Sequence, residues 1–144
     1  MPSAVAGKAA LARKAWRLMF HFMMRTAPER TRKLGRRGLT PNDSRALFSL
    51  DPEEGRTMGA LAEDWECDAS NATWIVDRLE RLGLAERRTI ASDRRVKLVV
   101  LTPKGARTKA ELLDEFHTPP AELLRLDRAD LEALHRALGR LPPD

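Results

Sequence analysis

The sequence predicts a mainly α-helical fold with one small β-hairpin, an α+β class. Its 144 residues suit one domain with a core of its own. The chain has no tyrosine and only 5% aromatic residues, whereas the helix-favouring Ala, Leu, Arg and Glu are abundant. Apolar residues recur at three- and four-residue steps along most of the chain, and this period changes once, near residues 84–102. We therefore predict a single domain over residues 1–144.

The first predicted element is a long amphipathic helix from about Lys8 to Leu34. We expect Pro28 to bend or fray its second half, because proline removes a helical hydrogen bond. The basic stretch RTRKLGRRG closes the segment with its glycines. The apolar residues that define the helix are Leu11, Ala15, Leu18, Met19, Phe22 and Met23.

Three shorter helices are predicted next, each with a capping residue at its start. Thr40 and Pro41 suit the N-cap and the first helical position of LTPNDSRALFSL. Thr57 can cap MGALAEDW, whose apolar residues share one face. Asp68 can cap a helix of about fifteen residues that ends near Gly83. Since only a tight connection separates the last two helices, they form a helix-turn-helix pair.

A β-hairpin and two further helices complete the predicted order. The runs LAERRTI and VKLVVLT are β-like and are joined by ASDRR, which places the hairpin tip at Ser92–Arg95. Pro103 begins another helix, which TPP ends. Asp127 caps the last helix, RADLEALHRALGRL. One stripe of that helix is formed by Leu131, Leu134, Leu138 and Leu141.

Composition and motifs narrow the class of function. The formal charge of +5 and the sequence pI near 10.0 suit a polyanionic partner. A lone cysteine, Cys67, excludes a disulfide within the chain and a multi-cysteine metal site. The three histidines lie far apart and no catalytic motif occurs, so we predict no enzyme, cofactor or metal. No segment has the pattern of a signal peptide or a membrane span, so the expected location is the cytoplasm.

The helix-turn-helix pair followed by the hairpin predicts a winged helix-turn-helix. In that arrangement the second helix enters the DNA major groove and the hairpin forms the wing. Short polar side chains at the start of this helix can reach base edges, and arginines further along and in the wing can reach phosphates or a minor groove. The predicted DNA-binding residues are Ser70, Thr73, Trp74, Asp77, Arg78, Arg81, Arg88, Arg94 and Arg95. The alternative is a winged-helix module that binds protein, which would lack a positive field on this face.

The stretch LAEDWECDASNATWIVDRLERLGLAERRTIASDRRVKLVVLTPKG resembles the DNA-binding lobe of the multiple antibiotic resistance regulator (MarR) family. The resemblance implies a winged helix-turn-helix lobe over residues 38–102 and dimerisation helices over residues 1–37 and 103–144. The matching parts are LA at Leu61–Ala62, VDRLERLGL from Val76 to Leu84, DRR from Asp93 to Arg95, and LTPKG from Leu101 to Gly105.

The resemblance also implies a function and partners. Members of the family are homodimers that bind a pseudo-palindromic operator in double-stranded DNA, most often as repressors. The recognition helix would span about residues 69–83 in the major groove, and the wing about residues 90–96 in the minor groove. The family reads the major groove at the positions of Ser70, Asn71, Thr73 and Trp74, and the minor groove at those of Arg94 and Arg95.

Three features leave alternatives open. Trp74 lies on the polar side of its helix, where it either contacts DNA or covers the adjoining turn. Cys67 is expected to pack as a small apolar residue rather than to sense oxidants. A small-molecule effector is possible in this family, although methionines and aromatic residues at helical spacing are more often core. Its pocket could be lined by Trp16, Phe20, His21, Met23 and Met24.

Overall fold

A computed structural model describes residues 2–143, with side chains from Ala4 onward. In this range six α-helices and one two-stranded sheet follow each other in the expected order, which confirms the mainly α fold with a β-hairpin. A 3₁₀ turn, Leu123–Arg125, precedes the last helix. The elements are α1 (Pro2–Gly35), α2 (Pro41–Ser49), α3 (Met58–Asp64), α4 (Ala69–Arg81), β1 (Ala85–Ile90), β2 (Asp93–Leu101), α5 (Pro103–His117) and α6 (Arg128–Leu138).

The predicted helix starts are confirmed by hydrogen bonds from the first turns to the capping side chains. The Thr40 hydroxyl oxygen accepts from the Asp43 N–H at 3.2 Å, and the Asp43 carboxylate accepts from the Thr40 N–H at 2.8 Å. These two bonds close a capping box at α2. Thr57, Asp68 and Asp127 cap α3, α4 and α6 through one such bond each. Every cap joins residues three positions apart, so these starts are visible in the sequence.

The first helix is longer than predicted and does not fray at Pro28. It begins at Pro2 and stays helical through Pro28 to Gly35. Proline cannot supply the usual N–H to the preceding turn, and side chains provide extra donors there. The Thr26 hydroxyl donates to the Phe22 carbonyl at 3.0 Å, and the Arg30 guanidinium donates to the Met23 carbonyl at 2.9 Å. Both bonds connect residues on either side of Pro28 to the preceding turn, although neither goes to the Met24 carbonyl, which a residue with an N–H at position 28 would bond.

The hairpin is tighter at its tip than the sequence indicated. The antiparallel strands pair from Ala85 with Leu101 to Thr89 with Lys97, and Ile90 then pairs with Asp93. The predicted tip at Ser92–Arg95 is therefore wrong, because the strands end at a two-residue turn and Asp93–Arg95 belongs to β2. A register shift after Thr89 accommodates the unmatched residues of β2, as a bulge does.

The hydrophobic core lies in the winged-helix part of the chain. Leu47, Leu61, Leu79 and Val99 are fully buried and come from α2, α3, α4 and β2, and α5 joins them through Leu112. The first half of α1 and much of α6 lie outside this core. They expose apolar side chains, with Leu11 and Leu18 each more than two-thirds exposed. Two surfaces at the chain ends thus have no partner within residues 2–143.

Gly105 should tolerate no larger side chain, because α5 begins against the main chain of Leu84. A Cβ at Gly105 would lie 1.9 Å from the Leu84 carbonyl oxygen. We expect Gly105→Ala to lower the free energy of unfolding by about 2 kcal/mol, since α5 would have to move away from the hairpin. Urea unfolding measures this change. Gly59→Ala in α3, where an added Cβ meets nothing within 4 Å, should be neutral or slightly stabilising. Equal losses in both variants would contradict the close-contact explanation.

Candidate nucleic-acid interface

Helix α4 has one buried and one exposed face, as its sequence predicts. Ala72, Ile75, Val76 and Leu79 are buried in the core. Trp74 on the opposite side is 55% exposed, so it does not pack into the core. The exposed polar residues at the start of the same face are Ser70, Asn71 and Thr73. The side chains predicted to reach base edges are therefore accessible together.

An ion pair between Arg78 and Asp43 ties α4 to α2. The Arg78 Nε donates to both carboxylate oxygens of Asp43, at 2.9 and 3.0 Å. Its Nη2 donates to the Gly38 carbonyl at 3.1 Å, in the turn between α1 and α2. Burial by itself raises the pKa of Asp43, but hydrogen bonds from Arg78 and Thr40 outweigh it and hold the pKa below its usual value. Asp43 is thus a buried, ionised anchor for the predicted recognition helix.

A second set of ion pairs ties α4 to the wing. The Arg87 guanidinium on β1 donates to Asp77 at 2.9 Å and also to Glu80, both on α4. Partial burial lowers the pKa of Arg87, but the two carboxylates outweigh that effect and raise it. Because Arg87 bridges the two elements, the orientation of the hairpin is coupled to that of α4.

The exposed arginines of the wing differ in their partners. Arg88 pairs with Glu86 at 2.6 Å, and the Arg95 Nε lies 3.3 Å from the Asp93 carboxylate. Asp93 also accepts from the Arg95 backbone N–H at 3.0 Å, so it orients Arg95 through one oxygen rather than a bidentate pair. Within residues 2–143, no carboxylate lies within ion-pair distance of Arg45, Arg81, Arg94 or Lys97.

Positive charge is therefore sparser around α4 than a count of arginines suggests. Four of the predicted DNA-binding residues, Asp77, Arg78, Arg88 and Arg95, already take part in ion pairs. Residues 1–40 hold ten Lys and Arg and one acidic residue, whereas residues 41–144 hold sixteen Lys and Arg and twenty Asp and Glu. The excess of positive charge lies on α1, and any positive field on the winged helix is local.

Sequence comparison places this arrangement among known proteins. A family model described as MarR family matches residues 37–96. The transcriptional repressor MprA of Escherichia coli (strain K12) is 31% identical over 103 residues, an alignment that covers 70% of this chain. The chain belongs to the MarR family. The alignment spans 58% of the length of MprA.

Solved structures share the fold of this chain. The YusO protein from Bacillus subtilis is 27% identical, with a TM-score of 0.73, over 90% of this chain and 93% of YusO. A mutant of MepR from S. aureus, bound to an oligodeoxyribonucleotide, is 20% identical, with a TM-score of 0.68, over 90% of this chain and 94% of MepR. This MarR-family chain therefore shares the winged-helix fold of these structures.

Two other predicted features of this MarR-family chain, Cys67 and the effector pocket, can be located in the structure. Cys67 is partly buried and packs against the core, as expected of a small apolar residue. A cavity of about 440 Å³ lies between the second half of α1 and the segment after α5. Its lining on α1 begins at Arg25, so the five side chains from Trp16 to Met24 suggested for an effector lie outside it.

In the range 2–143, no group of His, Cys, Asp and Glu is arranged to hold a metal ion. None of the described helices combines the length and apolar character needed to cross a membrane.

Two residues of this region were missed by the sequence analysis. Asp43 is recognisable as part of a capping box, but its pairing with Arg78 joins residues 35 positions apart. Arg45 was overlooked because it lies outside the helix-turn-helix pair. Its position next to the turn between α3 and α4 follows only from the packing of α2 against that turn.

Proposed function

We propose that the protein is a homodimeric, sequence-specific DNA-binding transcriptional regulator that acts as a repressor in the cytoplasm. Helix α4 would enter the major groove and the β1–β2 hairpin a flanking minor groove. The observation that carries this proposal is the exposed face of α4, where polar side chains lie opposite a fully packed core face. The structural similarity to the DNA-bound MepR mutant and the sequence similarity to the repressor MprA support the proposal.

Base recognition would fall to the first turns of α4. The hydroxyl groups of Ser70 and Thr73 and the amide of Asn71 can donate to and accept from base edges. Arg81 at the end of α4 and Arg94 in the wing have no carboxylate partner in the described range, so both are available to phosphates or to a minor groove.

A second copy of the chain would cover the exposed apolar surfaces at the two chain ends. The helices α1 and α6 expose large apolar side chains, and such surfaces mark association sites in proteins that stay in solution. A two-fold axis would then present two copies of α4 to successive half-sites, which accounts for a pseudo-palindromic operator. The exposed apolar residues are Val5, Leu11, Trp16, Leu18, Met19, Phe20, Met23, Met24, Leu138 and Leu141.

The proposal is tested by binding to double-stranded DNA. Duplexes selected from a randomised library, and the DNA upstream of the protein's own gene, are titrated by fluorescence anisotropy at several salt concentrations. We expect tight binding of a two-fold symmetric sequence by a dimer, with affinity that falls steeply as salt rises. Light scattering of the free protein reports the dimer independently. Binding that is absent, or equal for every sequence, would contradict the proposal.

A protein-binding winged helix is the second candidate. One observation supports it, namely that much of the charge around α4 is already paired. Four predicted DNA contacts are engaged in ion pairs, and the segment EDWECD before α4 is acidic. A module of this kind would show no sequence-selective, salt-sensitive DNA binding. The same titration therefore separates the two candidates.

Trp74 should contribute to DNA binding and little to folding. An indole at this position can pack on a thymine methyl group or a sugar edge. We expect Trp74→Ala to weaken operator binding about tenfold and to change the free energy of unfolding by less than about 0.5 kcal/mol. Trp65→Ala is the matched control, because Trp65 is buried and should cost about 3 kcal/mol of stability. A large loss of stability with unchanged affinity in Trp74→Ala would make Trp74 a packing residue instead.

Regulation by a small molecule is compatible with this function. An effector site near α1 is a family expectation, and the cavity beside α1 is lined by charged side chains of both signs.

A further inference from the structure

We propose that Arg45 on α2 binds a phosphate of the DNA backbone beside the N-terminal end of α4. The inference rests on the proposed DNA-binding function and adds a contact on the α2 side of the recognition helix. The wing joins the other flank of α4 through Arg87. The protein would thus contact DNA on both sides of α4, through Arg45 on the α2 side and through the wing on the other.

The position of Arg45 is determined by its contact with Trp65. The Arg45 Nη2 donates to the Trp65 carbonyl at 3.1 Å. One turn further along α2, the Ser49 hydroxyl accepts from the indole N–H of Trp65 at 2.9 Å. Trp65 is the C-cap residue of α3 and begins the turn that leads into α4. These two bonds hold the guanidinium next to that turn rather than free in solution.

Arg45 shares a small cavity with a residue of the predicted base-reading face. The cavity has a volume of about 150 Å³ and lies between α2 and the start of α4. Its polar lining consists of Asn42 and Arg45 from α2, Glu66 from the turn between α3 and α4, and Asn71 from α4. If Asn71 reaches into the major groove, the strand bordering that groove passes over this cavity. A phosphate there would meet the Arg45 guanidinium and the Asn42 amide, both of which donate hydrogen bonds to phosphate.

The charges around this cavity require a cation if DNA is to approach. Glu63, Glu66 and Asp68 are exposed in and around the turn, and their carboxylates would repel a phosphate. Arg45 is exposed, and in the described part of the chain it makes one hydrogen bond and no ion pair. Its remaining N–H groups can therefore bind an anion without breaking an existing contact. The arginines paired with Asp43, Glu86 and Asp93 would each have to release or share a carboxylate.

The contact is tested with Arg45→Gln, which removes the charge and keeps an amide donor for the Trp65 carbonyl. Binding of the best duplex from the randomised library is measured from low to moderate salt. We expect an affinity about tenfold lower, with unchanged sequence preference, because a phosphate contact carries no base information. The slope of log affinity against log salt should fall by about 0.9 for each phosphate that the variant no longer neutralises. Arg45→Lys keeps the charge and should retain most of that slope.

Two further measurements locate the contact. Arg128→Gln removes the same charge from the exposed start of α6 and should leave both affinity and slope nearly unchanged. Neutral methylphosphonate linkages are introduced one at a time into the duplex. One position flanking the half-site should weaken binding of the wild-type protein and have no further effect on Arg45→Gln, as expected for a direct pair.

The outcomes separate this inference from the function on which it rests. Selective binding by the wild-type protein with Arg45→Gln indistinguishable from Arg128→Gln would overturn the Arg45 contact alone. A loss of affinity in Arg45→Gln with an unchanged salt slope and no matching methylphosphonate position would also overturn it. Failure of the wild-type protein to bind any duplex selectively would overturn the proposed function and the Arg45 contact with it.

Discussion

Asp43→Ala should lower the free energy of unfolding by about 3 kcal/mol near neutral pH, because it removes the charged hydrogen-bond partner of Arg78. The substitution also removes the side-chain half of the α2 capping box, which accounts for about 1 kcal/mol of that loss. Asp43 is 1% exposed, whereas the Arg78 side chain is 27% exposed, so water can hydrate the arginine in the variant and limits the loss. Urea unfolding followed by circular dichroism measures the change, and operator binding should weaken in parallel since α4 loses its tie to α2.

The matched control for Asp43 is Asp51→Ala. Asp51 also accepts two backbone hydrogen bonds, from Glu53 and Glu54, but it is exposed and has no arginine partner among the residues described. Its removal should destabilise the protein much less than Asp43→Ala does, because it takes away only exposed hydrogen bonds. Similar losses for the two variants would mean that the capping bonds, and not the Arg78 pair, supply the stability.

The contribution of Asp43 should also depend on pH in a defined direction. Its pKa in the folded protein is lowered, so the folded state favours the ionised carboxylate. The stabilisation is then complete above the unfolded pKa, which is about 3.9, and is lost as pH falls through the lower folded value. The stability difference between the wild-type protein and Asp43→Ala should therefore stay constant from neutral pH to about 5 and shrink below about 4. A difference that grew in acid would contradict an ionised Asp43.

Removing both wing arginines should have the largest effect on DNA binding. We expect Arg94→Ala combined with Arg95→Ala to lower operator affinity about a hundredfold, because two charged donors to the minor groove are removed. The loss should be greater for duplexes with an A·T tract under the wing, where the narrow minor groove concentrates negative potential. Anisotropy titrations with A·T and G·C versions of the flanking steps measure both effects.

A control variant separates the effect of losing two positive charges from the effect of their position in the wing. Arg125→Ala combined with Arg128→Ala removes the same charge from exposed positions outside the wing and should change affinity only slightly. The two single variants decide which arginine enters the groove. Arg95 is oriented by Asp93, whereas Arg94 has no carboxylate partner in the described range. If the wing double variant and its control bind the operator with equal affinity, the wing is not part of the DNA interface.

Much of the fold could be predicted because its signals lie within a few residues of each other. Caps at Thr40, Thr57 and Asp68 involve side chains and amides three positions apart, and the faces of α4 follow from helical periodicity. The hairpin tip was misplaced because strand pairing depends on the opposite strand. Charged residues such as Asp93 are typical of turns, yet here the ladder and a register shift keep Asp93–Arg95 in β2.

The sequence by itself determined the order of the elements, the start of nearly every helix and the exposed side of α4, including Trp74. Only the tertiary structure decided which arginines are engaged in ion pairs and which remain available to bind DNA. Arg78 and Arg87 meet carboxylates that are 35 and ten positions away, and such partners depend on how α2, α4 and β1 pack. Periodicity and capping are local properties of the chain, whereas an ion pair between elements exists only after their faces have met. The same packing sets Arg45 beside the start of α4 and leaves its guanidinium open to a phosphate.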